Sequence, residues 1–185
     1  SIFKHNQEIF LMSETEANNQ LELYKCVNFP NKWELFTTAF EGEKILDPFF
    51  YRDKNNVIWL FLNKEQSSKI PMNNSELYIY RVNSMDLKDL DPHRNNPVII
   101  DSRVARNGGM IFEHEKEIYR PSQANIHGYY GRALNVNKII KLTIDDYIEE
   151  TIVTAHPNFS DGLVSMHHLH QVEGLFVVDA AYNKK

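Results

Sequence analysis

Residues 46–63 read LDPFFYR-DKNN-VIWLFLN, and this stretch carries the strongest evidence for the fold. Two runs rich in aromatic and β-branched residues flank four polar residues, Asp53-Lys54-Asn55-Asn56. Such runs favour strands, and a short loop containing Asp and Asn between two of them is typical of a β-hairpin. The stretch therefore predicts two antiparallel strands joined by a tight turn.

The same arrangement recurs along the chain, and no segment sustains a helical period. Polar turns at 114–116 and 172–174 separate further apolar runs. The predicted strands lie near 8–13, 21–27, 33–40, 46–52, 57–63, 76–82, 97–100, 109–114, 117–120, 129–135, 138–142, 149–154, 163–169 and 174–179. Residues 63–75 and 86–96 are predicted loops, and Thr143 is the predicted cap of a helical turn.

The hairpins form a crude repeat that starts at Asn6, Ile45, Gly108 and Gly162, at intervals of 39, 63 and 54 residues. Four short strands in each period of about 40–50 residues indicate the blades of a β-propeller. We therefore predict an all-β propeller of four-stranded antiparallel blades. The chain, 1–185, is expected to be a single domain with three blades and the start of a fourth, so that other blades are missing from it.

Composition narrows the function. Hydrophobic residues make up 42% and charged residues 24% of the 185 residues, as in a folded globular chain. The net charge of −5 argues against a nucleic-acid partner, and no apolar run is long enough to span a membrane. The single cysteine, Cys26, is expected to be structural. The compartment stays open, with the cytoplasm favoured.

Two carboxylates stand out as candidate catalytic groups. Glu14 closes an apolar strand, where it could act as an acid or base or merely cap a turn. Asp47 is embedded in an apolar strand, which is costly unless the charge is paired or functional, although an Asp-Pro turn is the alternative.

Arginines supply the candidate ligand-binding groups. Arg103 and Arg106 precede two glycines and a strand, and their guanidinium groups suit a carboxylate or a phosphate. The alternative is a solvated loop in which one arginine pairs with Asp101. Arg120 and Gln123, at the end of a predicted strand, suit sugar hydroxyls or an anion.

Tyr130 and one of three clustered histidines complete the candidate set. The ring of Tyr130 could stack on a sugar or simply pack in the sheet. Alternation places His168 and His170 on one face and His167 on the other. No metal site is predicted, because two imidazoles are too few ligands for zinc. No cofactor is predicted either, since the GxGxxG, Walker and GxSxG patterns are absent.

Several ordered stretches resemble one known family. They are SETEANNQLELYKCVNFPNKWEL, NPVIIDSRVARNGGMIF, IYRPSQ, YYGRALNVNKIIKLTIDDYIEE and GLVSMHHLHQVEGLFVVDA. They resemble, in the same order, the N-terminal domain of glucosamine inositol-phosphorylceramide transferase, a family similar to five-bladed propeller glycosidases. The resemblance implies a five-bladed propeller with blades upstream of residue 1, and a role in glycan synthesis beside a fused transferase domain.

The resemblance favours the same candidate residues, with His167 as the histidine, together with Gly131, and it also marks departures. Ala124 stands where the family often has Asp, and Ser165-Met-His-His-Leu-His170 replaces a Gly-Thr-His-Thr-x-Asn pattern. These changes bring family-type catalysis into question more than sugar binding.

Three functions remain open at this point. The first is a carbohydrate-active enzyme in which Glu14 and Asp47 act as a pair, and it requires carboxyl groups within about 10 Å of each other. The second is a non-catalytic domain that recognises a saccharide or sugar phosphate. The third is a protein-interaction propeller, although its usual Trp-Asp and Gly-His repeats are absent.

Overall fold

The computed structural model describes residues 1–14, 18–65, 76–126 and 129–183, and its regular structure there is entirely strand. The strands are β1 (Ile2–His5), β2 (Glu8–Ser13), β3 (Leu21–Asn28), β4 (Lys32–Ala39), β5 (Lys44–Arg52), β6 (Ile58–Glu65), β7 (Glu76–Val82), β8 (Leu90–Pro92), β9 (Ile99–Ile100), β10 (Phe112–His114), β11 (Glu117–Ile126), β12 (Tyr129–Leu142), β13 (Tyr147–Ala155), β14 (Leu163–Ser165), β15 (Leu169–Val172), β16 (Leu175–Val178) and β17 (Ala181–Tyr182). Over these residues no helix is long and apolar enough to cross a membrane.

The strands form successive antiparallel sheets, as predicted. The first blade is β1-β2-β3-β4, the second is β5-β6-β7-β8 with β9 added to β7, and the third is β10-β11-β12-β13. Two strand pairs follow, β14-β17 and β15-β16. Each blade is a meander of neighbouring strands, which is the blade topology of a propeller.

Apolar side chains between neighbouring sheets hold the blades together. Met12 and Leu23 of the first blade share a buried cluster with Leu60 and Leu62 of the second. A second cluster joins the second and third blades, and a third joins the third blade to the segment around Leu169. Each fully buried leucine contributes about 1.5–3 kcal/mol, so the sheets are stabilised as a series of stacked layers.

Some predicted boundaries were wrong. The strand expected to end at Arg120 continues through Pro121 to the end of β11, and the two runs from 129 to 142 form the single strand β12. The strand predicted over 163–169 is broken into β14 and the start of β15, and β8 lies within the loop predicted over 86–96. Of the loop predicted over 63–75, residues 63–65 belong to β6 and residues 66–75 lie outside the described ranges.

The helical turn predicted at Thr143 was also wrong. Its hydroxyl accepts a hydrogen bond from the backbone N–H of Asp146 at 2.9 Å, which is the contact that a helix cap makes. The backbone N–H of Thr143 in turn donates to the carbonyl of Asp146. The segment is therefore a closed turn between β12 and β13, because the paired strands on both sides fix its direction.

The blade topology gathers polar residues at one edge. In each blade the first strand begins where the antiparallel second strand ends. Glu14 follows β2, Asp47 lies in the first half of β5, and Asn107 bridges to Ser122 just before β10. Residues far apart in sequence therefore meet at this edge.

Candidate functional site

Asp47 occupies a bulge in β5. The register shifts between Leu46 and Phe49, so that the intervening residues bulge out of the ladder with β6. Asp47 has a φ of 44°, a left-handed conformation that Asp and Asn adopt more readily than most residues. Its backbone carbonyl accepts a hydrogen bond from Nδ2 of Asn107 at 3.0 Å. The bulge thus turns both the backbone and the side chain of Asp47 towards the neighbouring blades.

Glu14 lies directly against Asp47. The backbone N–H of Asp47 donates to Oε2 of Glu14 at 3.2 Å. An extended aspartate spans roughly 5 Å from its nitrogen to its carboxylate oxygens, so the two carboxylates lie within about 8 Å of each other. This upper limit is compatible with the roughly 5–9.5 Å that separates the paired carboxylates of glycosidases.

Arg106 and Gln123 both bind the Asp47 carboxylate. Nε of Arg106 forms an ion pair with Oδ2 of Asp47, and the arginine side chain is 7% exposed. Nε2 of Gln123 lies 3.4 Å from the same oxygen and 3.0 Å from the carbonyl of Asn107. Oδ2 of Asp47 is therefore held by one donor from the third blade and one from the loop that precedes it.

Tyr130 and His167 lie next to Arg106. The guanidinium carbon of Arg106 is 5.8 Å from the centroid of the Tyr130 ring, and the rings of Tyr130 and His167 are 5.3 Å apart. Burial raises the pKa of the Tyr130 hydroxyl, against the opposing effect of Arg106. Gly131 permits this contact, because a Cβ at its φ of 60° would lie 3.0 Å from Cβ of His167.

Asp179 fixes the position of His167, and sequence reasoning missed it. Its Oδ1 accepts hydrogen bonds from the backbone N–H groups of His167 and His168 at 3.1 and 2.8 Å. Its Oδ2 lies 2.8 Å from Nδ1 of His167. The only available signal was an acid closing the apolar run 175–178, a pattern that also fits an ordinary strand end.

A cavity of about 390 Å³ opens beside the two carboxylates. It is lined by Ser1, Ile2, Met12, Glu14, Asp47, Pro48, Phe49, Gly109, Met110, His168 and His170. Burial lowers the pKa of His168, which favours a neutral imidazole at neutral pH. The combination of an apolar wall and a few converging polar groups is typical of a small-molecule site.

Arg103 is not brought to this cavity. Its guanidinium is bound to the carboxylate of Asp101, with Nη2 at 2.7 Å from Oδ2, and the side chain is 73% exposed. The solvated-loop alternative considered for this segment therefore describes Arg103, whereas Arg106 three residues later turns inwards.

Arg120 does not reach the cavity either. Its side chain is fully buried, and Nη2 lies 2.5 Å from Oε1 of Glu149. Its remaining donors bind the carbonyls of Val104 and Ala105 and Oδ1 of Asn107. Because all of these partners belong to the protein, Arg120 holds the loop that carries Arg106 and has no donor directed at the cavity.

Two buried asparagines, which sequence reasoning did not single out, complete this support. Oδ1 of Asn63 accepts from the backbone N–H of Asn107 at 2.8 Å, and Nδ2 donates to the carbonyl of Ala105. Nδ2 of Asn107 then binds the carbonyl of Asp47. A polar residue ending the apolar run VIWLFLN was the available signal for Asn63. Within the described ranges, no three His, Cys, Asp or Glu residues cluster as metal ligands would.

Comparison with solved structures supports the fold. The endo-arabinase from Bacteroides thetaiotaomicron VPI-5482 superposes with a TM-score of 0.60 at 14% identity, covering 100% of this chain and 70% of that chain. An exo-1,5-α-L-arabinanase from a bovine ruminal metagenomic library gives a TM-score of 0.54 at 14% identity, covering 97% and 66%. Both neighbours are five-bladed propellers, which confirms the predicted fold class.

Sequence comparison identifies the family. The family described as glucosamine inositolphosphorylceramide transferase 1, N-terminal, matches residues 1–168. The protein named glucosamine inositolphosphorylceramide transferase 1 is 34% identical over 150 residues in Oryza sativa subsp. japonica and 30% identical in Arabidopsis thaliana. These matches cover 80% of this chain but only about a fifth of each relative's length. The chain therefore belongs to the family of the N-terminal region of glucosamine inositolphosphorylceramide transferase 1.

Proposed function

We propose that the cavity binds a saccharide and that Glu14 and Asp47 are its acid–base pair. The observation that carries this proposal is the juxtaposition of two carboxylates, within about 8 Å, at the wall of a 390 Å³ cavity. Apolar walls suit the non-polar faces of a sugar ring, and carboxylates suit its hydroxyl groups. The names of the relatives and of the structural neighbours, a transferase and two arabinan-degrading enzymes, support a glycan-related role.

The contacts favour different roles for the two acids. Oδ2 of Asp47 already accepts donors from Arg106 and Gln123, so this residue suits the part of base or nucleophile. Glu14 is exposed at the end of β2 and accepts the backbone N–H of Asp47, and we assign it the part of general acid. A separation of up to about 8 Å is compatible with both the retaining and the inverting geometry.

The second candidate is a non-catalytic glycan-recognition domain. Ala124, which replaces an acid common in the family, is only 2% exposed and follows Gln123 in β11. Its methyl group adds no carboxylate to this edge of the blade. If this position supplies a required acid in relatives, the present chain would bind a glycan without cleaving or transferring it.

The test measures binding and turnover on a panel of neutral and acidic oligosaccharides with Glu14→Gln and Asp47→Asn. Catalysis predicts that each variant loses at least about 100-fold in turnover while still binding. Glu115→Gln, in the turn between β10 and β11 and outside the cavity lining, is the matched control. Binding without turnover in the parent protein would select the recognition role, and no binding of any saccharide would refute the proposal.

We further propose that the full protein contains more blades and a fused transferase domain. The chain spans about a fifth of its curated relatives and 70% of the arabinase chain. Strand β16 also presents exposed apolar side chains, such as Leu175 at 63% and Val177 at 53%, which a further blade would bury. The mass of the endogenous protein on an immunoblot tests this: a 21.7 kDa product would contradict it.

A further inference from the structure

Arg106, Tyr130 and His167 form a surface of their own, which we call the aromatic shelf. The guanidinium carbon of Arg106 is 5.8 Å from the centroid of the Tyr130 ring, and the rings of Tyr130 and His167 are 5.3 Å apart. None of the three belongs to the described lining of the cavity. The aromatic shelf meets the cavity at Asp47, because this residue lines the cavity and also forms the ion pair with Arg106.

Arg106 presents hydrogen-bond donors at the aromatic shelf. Its side chain is only 7% exposed, and within the described ranges Nε is the atom that makes its hydrogen bond, to Asp47. Neither Nη1 nor Nη2 of Arg106 is among the partnerless polar atoms that are shut off from solvent. A guanidinium group carries its donors in a fixed planar fork. The two outer amino groups are therefore placed to donate to the hydroxyl groups of a ligand.

The Tyr130 ring offers a platform whose orientation is fixed. The ring is 39% exposed, and it is held by contacts with Arg106 and His167. Burial raises the pKa of its hydroxyl, and the charges of Arg106 and Asp47 act on that pKa in opposite directions, which locates the hydroxyl beside the ion pair. A partly exposed tyrosine combines an apolar ring with a polar tip. Such a ring suits the apolar face of a sugar, while its hydroxyl stays within reach of polar groups.

The two adjoining surfaces together suit a ligand longer than one sugar ring. The cavity offers Phe49 and Met110 to the carbons of one ring. The aromatic shelf offers Tyr130 to the carbons of a second ring and the amino groups of Arg106 to its hydroxyls. A glycosidic bond lying over the junction would pass next to the Asp47 carboxylate, which is the position that an acid–base group requires.

We propose that the ligand is an oligosaccharide of at least two units, with one unit in the cavity and the neighbouring unit on the aromatic shelf. This inference rests on the proposed saccharide site. It specifies the size of the ligand and the residues that bind its second unit.

The experiment compares each monosaccharide with its own disaccharide by calorimetry. The pairs are arabinose with α-1,5-arabinobiose, glucose with cellobiose, and N-acetylglucosamine with chitobiose. An aromatic anchor in a binding surface commonly contributes about tenfold or more to affinity. In any pair that binds, we therefore expect the disaccharide to bind at least about tenfold more tightly than the monosaccharide, and saturation-transfer NMR should detect both of its rings in contact with the protein.

Variants identify the residues that bind the second unit. Tyr130→Leu should lower the affinity for the disaccharide by about tenfold or more. Tyr182→Leu is the matched control, because this tyrosine of β17 is 59% exposed and lies outside both the cavity lining and the aromatic shelf. Arg106→Lys keeps a positive charge opposite Asp47 but lacks the planar fork of donors, so it should also weaken disaccharide binding. Thermal unfolding identifies a variant that does not fold, and Tyr130→Leu then decides the question.

The outcomes separate the inference from the proposed function. A disaccharide that binds no more tightly than its monosaccharide, or that keeps its affinity in Tyr130→Leu, overturns the inference and leaves saccharide binding in the cavity intact. Failure of every monosaccharide and disaccharide to bind overturns the proposed function itself, and the inference with it.

Discussion

Replacing Arg120 by methionine should destabilise the protein severely. The Arg120 side chain is 0% and that of Glu149 is 6% exposed, so the substitution leaves a carboxylate buried without its cation. Breaking a buried pair in this way costs about 3–5 kcal/mol. The carbonyls of Val104 and Ala105 also lose a donor. A loss of this size corresponds to a fall in Tm of roughly 10 °C for a chain of this length.

Urea unfolding followed by tryptophan fluorescence measures the free energy of unfolding directly. Arg103→Met is the matched control, because the exposed pair with Asp101 should contribute only about 0.2–1 kcal/mol. Adding Glu149→Gln to Arg120→Met should recover at least about 1 kcal/mol, since the buried charge is removed. A loss below about 1 kcal/mol for Arg120→Met would refute the assignment of Arg120 to the buried support.

Three further outcomes are expected. Gly109→Ala should prevent stable folding or lower the free energy of unfolding by more than about 3 kcal/mol. At Gly109 φ is 134°, and the new Cβ would lie 1.9 Å from the carbonyl oxygen of Leu169. The control Gly174→Ala has no atom within 4 Å of its Cβ position, so it should cost only about 1 kcal/mol in the same urea assay. Burial lowers the pKa of His93, so near pH 6.5 the unfolded chain binds more protons than the folded chain. The free energy of unfolding should therefore fall as the pH drops through 6.5. His93→Gln should make the free energy of unfolding less dependent on pH between about pH 5 and 7.5. Asp179→Asn should weaken the segment that carries His167 by about 1–3 kcal/mol, and unchanged hydrogen exchange of that segment would contradict the role given to this carboxylate.

The hairpins were predictable because the contacts that form their turns join residues close together in the sequence. In the turn after β5, Oδ1 of Asp53 accepts hydrogen bonds from the backbone N–H groups of Asn55 and Val57. Oδ2 of Asp53 accepts a hydrogen bond from Nε1 of Trp59. All of these contacts lie within six positions in sequence, so the residue types alone specify the turn. The strand boundaries that were missed depend instead on pairing with distant strands, as at Pro121, which is paired with Val136.

The polar candidates at strand ends were visible in sequence, but their partners were not. Arg106 and Arg120 have the same side chain, yet one faces the cavity edge and the other pairs with Glu149 inside the sheet. Glu149 lies 29 positions from Arg120 along the chain, on a strand two places away in the blade. Strand register and burial decide which arginine pairs with a given carboxylate. Residue type alone does not reveal either of them.

At the Asp47 bulge, the backbone contacts that hold the fold are independent of the carboxylate that would carry the chemistry. The backbone N–H and carbonyl of Asp47 make their contacts with Glu14 and Asn107 whatever side chain is present. Asparagine tolerates the same left-handed backbone conformation as aspartate. An exchange of acid for amide would therefore change the charge at this edge of the propeller while its shape persists. Within this family, descendants could gain or lose reactivity here by a single base change, with the scaffold preserved.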